Sequence, residues 1–188
     1  MTRQNGPWIN ERHLLEGSPV NTTLVSNLDR SQCGGNLSAL TTQVMLSVAL
    51  PLNAGDLVTS LTFMSATTAA NTPTNWWFAL YSPAGALIAQ SADQESAAWG
   101  ANTAKTLALS APHLVTAAAV YYAAIMVKAS TPPTLVGTAL HHANVAANIG
   151  TLGFKVLAQT SGSSLVASAP ATIATPTAVA TVPLVIAS

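Results

Sequence analysis

Short apolar runs separated by turn residues recur along most of this chain, at the spacing of strands and without the 3.6-residue period of a helix. Residues 40–50 are rich in Thr, Val and Leu with an alternating character, and Pro51-Leu52-Asn53-Ala54-Gly55-Asp56 ends the run with turn chemistry. Leu57–Met64 reads as the next strand. The run Asn75-Trp76-Trp77-Phe78-Ala79-Leu80-Tyr81 is strongly β-prone; Ser82-Pro83-Ala84-Gly85 makes a tight turn and residues 86–91 return, which predicts a hairpin. Residues 106–109 and 120–127 are further strands joined through Ser110-Ala111-Pro112-His113, and Pro132-Pro133 stops the second. Residues 135–140, 153–159, 171–174 and 184–186 complete the set. Alanine is a poor strand former, so 116–119 reads as a loop or helical turn. The pattern predicts an all-β fold, a β-sandwich of jelly-roll type, over residues 37–188.

Residues 1–36 break from this pattern and read as an extended N-terminal arm. Arg3, Glu11, Arg12, Glu16, Asp29 and Arg30 are half of all the charged side chains. Between Gly6-Pro7 and Ser18-Pro19 the segment carries Trp8, Ile9, Leu14 and Leu15, apolar anchors set among chain breakers. It is too short for a core of its own. Either it packs on its own domain, or it docks on a neighbouring subunit or a larger assembly.

Composition sharpens the picture. The 188 residues are 49% hydrophobic, enough to fill one substantial core, yet only 6% are charged, against roughly 25% in an ordinary soluble domain. A neutral, rather apolar surface is poorly protected against self-association, which predicts a homo-oligomer, with a trimer as the working expectation. Net charge is zero and the basic residues are scattered, so no stripe exists to neutralise a run of phosphates, and nucleic acid is not an expected partner. The start of the chain has no apolar run behind Arg3, so no secretory signal is expected. The uncharged stretches 106–127 and 156–188 are broken by Pro112, Gly162, Pro170, Pro176 and Pro183, so neither reads as a membrane span. A lone Cys33 cannot form an internal disulfide, and folding in a reducing cytoplasm suffices.

Candidate chemistry is thin. Asp93 and Glu95 stand two apart, which on a strand would place both carboxylates on one face as glycosidase chemistry needs; as loop residues they would be solvated or turn-forming. His141-His142 would point to opposite faces of a strand and have no Cys or acid close by to complete a metal site. His113 and Asp93 could join a serine on paper, but no Gly-x-Ser-x-Gly elbow is present. Cys33 beside Gly34-Gly35 reads as a small hydrophobe before it reads as a nucleophile. No enzymatic activity and no cofactor are expected.

The aromatics carry more information. Side chains alternate along a strand, so Trp76, Phe78 and Leu80 face one side and Trp77, Ala79 and Tyr81 the other. One set leaves the core, or the strand is covered on both faces. Exposed Trp76, Trp77 and Tyr81 would bury against another subunit or stack on a sugar ring. The subunit contact is preferred, because the Asp, Asn and Arg cluster that orients sugar hydroxyls is lacking.

Residues 67–81, Thr-Thr-Ala-Ala-Asn-Thr-Pro-Thr-Asn-Trp-Trp-Phe-Ala-Leu-Tyr, and Ala89-Gln90-Ser91-Ala92-Asp93-Gln94 resemble a module of actinobacteriophage virion proteins and prophage-derived proteins. Trp99, residues 101–109 and residues 121–127 continue the likeness, which covers roughly 50–140. The resemblance implies a structural protein of a tailed-phage virion, located on the particle surface and folded in the host cytoplasm. It supplies no catalytic residues. With one short domain and no fibre shaft, the expected station is capsid decoration, with the major capsid protein or a tail protein as partner. The alternative is a minor tail or fibre-tip protein adhering to host-surface glycan.

Overall fold

The computed structural model describes residues 24–140 and 155–188. Among the described residues the regular elements are one 3₁₀ turn, Arg30–Gln32, and thirteen short strands. In chain order these are β1 (Val25–Ser26), β2 (Gly34–Asn36), β3 (Met45–Leu52), β4 (Leu57–Met64), β5 (Asn75–Tyr81), β6 (Leu87–Gln90) and β7 (Ala104–Leu114). They continue as β8 (Ala119–Lys128), β9 (Val136–Ala139), β10 (Ala158–Ser161), β11 (Thr177–Ala178), β12 (Thr181–Pro183) and β13 (Val185–Ala187).

All pairings are antiparallel. A four-stranded sheet in the order β1-β13-β4-β7 packs on a six-stranded sheet, β11-β10-β3-β8-β5-β6, with a small third sheet, β12-β9-β2. This is the expected all-β sandwich. From β3 to β8 successive strands cross between the two large sheets, except at the β5–β6 hairpin, which stays in one sheet. One continuous core fills the space between them. Leu46, Val48, Leu50, Phe78 and Ile125 come from the larger sheet and Val58, Leu61, Phe63 and Val185 from the smaller, while Leu37, Leu135 and Val182 join from the third. The alternation read in the sequence is the alternation of these inward side chains.

Two prolines taken as breakers lie inside strands. Pro51 pairs with Val120 at the end of β3. The Ala49 amide donates to Leu157 O, so the amide position of Pro51, two residues on, faces the same side, beyond the last β3 residue registered with β10. The missing N–H faces an unpaired edge and costs no ladder bond. Pro112 likewise lies within β7, which runs on to Leu114, because β7 is the outer strand of its sheet and the register with β4 shifts between Val58 and Ser60. The tight turn of the hairpin is as expected: the Gly85 amide donates to Ser82 O at 2.8 Å, and its φ of 80° is one that glycine adopts freely. Residues 171–174, expected as a strand, make only an isolated bridge, Thr172 to Ala86.

The boundary drawn after residue 36 moves. β1 pairs with β13, and the Asn27 side chain donates to Pro183 O and accepts from Val185 N, both at 2.9 Å. β2 pairs with β9, so residues 24–36 are integral to the sandwich. Trp8, Ile9, Leu14 and Leu15 lie outside the described residues.

Candidate functional site

The aromatic strand β5 lies between β8 and β6 and is covered on both faces. Trp76, Phe78 and Leu80 point into the inter-sheet core, where the Trp76 ring lies 5.0 Å from Trp99 and Phe78 lies 4.8 Å from Phe63. Trp77, Ala79 and Tyr81 point to the opposite face, into a second cluster with Met45, Tyr122, Ala124 and Met126. A strap formed by the chain's own residues 162–176 lies over that cluster, with Leu165, Ala169 and Ile173 packed against it.

Polar tips fasten the strap. Trp77 Nε1 donates to Val166 O at 2.7 Å and the Tyr81 hydroxyl to Pro170 O at 2.8 Å. Gln90 donates to Ala167 O and accepts from Ala169 N. Burial pushes the Tyr81 phenol well above its usual range, so the hydroxyl keeps its proton through neutral pH. Trp76, Trp77 and Tyr81 are 1%, 0% and 0% exposed, which corrects the expectation that they meet a partner subunit or a sugar. Trp76 is covered by Trp99 and Phe78 in the inter-sheet core, and the partner of Trp77 and Tyr81 is the strap, whose Ser, Ala and Pro residues carry little strand signal.

The charged candidates are structural. Asp93 Oδ1 accepts from the amides of Trp76 and Glu95, and Oδ2 accepts from Asn75 Nδ2, so this carboxylate ties the loop after β6 to the start of β5. Asp93→Ala is expected to cost about 1–3 kcal/mol by leaving the Trp76 amide unsatisfied. A urea titration with m unchanged measures it. His113 packs beside Tyr121, ring centroids 5.5 Å apart, whereas Asp93 holds Trp76, whose partner is Val127. Tyr121 and Val127 are six residues apart on β8, about 20 Å, which removes the paper triad. Asp29 caps the 3₁₀ turn by accepting from Ser31 N and Oγ, and those bonds hold its carboxyl below the usual range. The thiol of Cys33 lies 3.6 Å from Asp29 O. His141 and His142 lie outside the described residues, and among those described no three His, Cys, Asp or Glu side chains gather as a metal site.

What the fold leaves exposed is the outer face of the four-stranded sheet. Register places Ser26, Ile186, Thr62 and Thr106 in one row across it, with Met64 and Ala104 beside them and Leu57 opposite Leu114 at the far end. Leu57 is 41% exposed and Leu114 57%. Lys105, the charged side chain of β7, turns inward and sits 5.8 Å over the Trp76 ring. Among the described residues no Asp, Glu, Lys or Arg projects from this sheet's outer face. No protein-family model matches this chain, and no curated protein matches it.

This face is not legible in the sequence, because its residues are ordinary strand formers. The one available signal was the pairing of Leu57 with Leu114, and pairing is set by register between strands distant in sequence.

Proposed function

We propose that this chain is an accessory structural subunit of a tailed-phage particle, a capsid decoration protein that self-associates and binds the particle surface. The observation that carries the reading is the uncharged outer face of the β1-β13-β4-β7 sheet, with Leu57, Met64 and Leu114 exposed on it. An uncharged face of hydroxyl side chains with exposed Leu and Met at its two ends is a surface that protein association can bury without desolvating charge. At strand spacings the face covers about 500 Å², less than the roughly 800 Å² per partner of a standard interface, so a second contact is required. The segment before Leu24, bearing Trp8, Ile9, Leu14 and Leu15, is proposed as that contact, the docking arm. The resemblance of residues 67–94 supplies the setting, and catalysis and a cofactor form no part of the proposal.

Quantitative mass spectrometry of purified particles from the source tests this. Copies in the hundreds, relative to the major capsid protein, are expected for decoration; a few copies would move the protein to the tail, and absence from intact particles would overturn the reading. Leu114→Glu should lower occupancy and dissociate the oligomer while changing stability by no more than about 0.5 kcal/mol, because the side chain is mostly exposed.

A further inference from the structure

The strap over the second aromatic cluster is thin. Every residue from 162 to 176 is exposed or half-buried, whereas Met45, Trp77, Ala79, Tyr81, Ala124 and Met126 beneath it are fully buried. The strap joins no ladder: Thr172 makes an isolated bridge to Ala86, and single hydrogen bonds do the fastening elsewhere. The Leu165 amide donates to Gln43 O, the Ile173 amide to Gly85 O and the Leu87 amide to Ala171 O. Gln43 Nε2 donates to Leu165 O, alongside the bonds from the tips of Trp77, Tyr81 and Gln90. A segment with few buried apolar side chains and bonds close to solvent opens at a lower free energy than the sheet it lies on.

Strain is stored at both ends of the strap. Gly162, Ser164 and Thr175 have φ of 73°, 56° and 42°. Glycine adopts such a value freely, but a serine and a β-branched threonine are held there by their surroundings. Ser161, the last residue of β10, adds a second cost. It pairs with Met45, so its side chain shares the face of Met45, and its hydroxyl is buried without a hydrogen-bond partner. Buried hydroxyls are bonded in the large majority of cases, and an orphaned one costs its full desolvation. Opening the chain at Gly162 admits water to that hydroxyl and relaxes the left-handed residues.

We propose that residues 162–176 form a releasable cover that swings as one unit about Gly162 and Thr175 and governs when the Trp77–Tyr81 face meets solvent. The sheets stay folded while it opens, because β10 is held by β3 and β11 by β10, outside the two hinges. The surface it uncovers is adaptable and apolar, with the thioethers of Met45 and Met126 among the rings of Trp77, Tyr81 and Tyr122. That surface belongs to the six-stranded sheet and the uncharged face to the other large sheet, so the cover stands or falls apart from the assembly reading.

Native-state hydrogen exchange of the full chain, followed by NMR at rising sub-denaturing guanidinium chloride, tests the cover. The Leu87, Leu165, Ala169 and Ile173 amides and the Trp77 indole N–H should exchange through one shared opening, at least about a hundredfold less protected than the ladder amides of β3 and β8. Phe63→Leu, in the inter-sheet core, should lower the protection of β3 and β8 and leave that of the strap as it was, because the core is intact in the open state. Gln90→Ala, which removes two strap bonds, should lower both by about tenfold. A lock acts in the opposite direction. Ala86 and Thr172 are exposed and lie between the Leu87–Ala171 and Ile173–Gly85 bonds, a non-hydrogen-bonded pair with Cα atoms about 4.5 Å apart, within disulfide reach. Ala86→Cys/Thr172→Cys, with Cys33→Ser to leave one thiol pair, should raise strap protection at least about tenfold when oxidised and release it on reduction. Strap amides that follow β3 and β8 in the Phe63→Leu variant, that open at unrelated free energies, or that ignore the lock would each overturn the proposal.

Discussion

Trp76→Ala is expected to cost roughly 3–5 kcal/mol, because it empties a buried ring position in the aromatic stack of the core. The Trp76 ring lies 5.0 Å from Trp99 and 5.9 Å from Phe78, and Phe78 in turn contacts Phe63 across the sandwich. Its Nε1 donates to Ala97 O at 2.9 Å, which fixes the loop after β6, and Lys105 covers the ring from β7. Truncation therefore removes a large apolar area, leaves the Ala97 carbonyl short of a donor and unseats one wall of the aromatic stack. Equilibrium unfolding in guanidinium chloride, with the shift read at constant m, gives the number. Trp76→Phe should lose distinctly less, since a ring still fills most of the space. A loss under about 1 kcal/mol for the alanine variant would show that the ring is not packed in the core.

Gly137→Ala is the second large effect, and here the cost comes from adding a methyl group. A Cβ at Gly137 would stand 2.2 Å from Val182 O, 2.7 Å from Pro183 Cα and 2.9 Å from Leu37 Cδ1. Two of these are backbone atoms, so no rotamer change relieves the overlap. β9 is the middle strand of the small sheet, with Gly137 opposite both Pro183 and Gly34, so relief requires displacing β12. The expected loss is at or above the top of the roughly 1–3 kcal/mol range for overpacking. Gly35→Ala is the matched control: nothing lies within 4 Å of its Cβ position, and the change should stay within about 0.5 kcal/mol. Equal losses at the two positions would show that the small sheet is not packed as described.

Both positions bear on how much of this protein was readable from its residues. The run Asn75–Tyr81, the turn at residues 82–85 and the strands that became β4 and β8 were legible, because each carries its own alternation and turn chemistry within about ten residues. So were the all-β class and the neutral surface. β1 and β2 were not: Val25–Ser26 and Gly34–Asn36 are two and three residues long and are strands only because β13 and β9 lie beside them. Pro51 and Pro112 misled for the same reason, since a proline's cost depends on whether its missing N–H faces a neighbour or an open edge.

The sites divide along the same line. By itself the sequence determined that β5 has two aromatic faces and that little charge protects the surface. Only the tertiary structure decided that the chain's own residues 162–176 cover Trp77 and Tyr81 and that Leu57 meets Leu114 on an uncharged face. Periodicity is a property of neighbours along the chain and survives translation into strands. Which face is covered depends on contacts between segments far apart in sequence, about ninety residues from Trp77 to Val166, and local pattern holds no record of those.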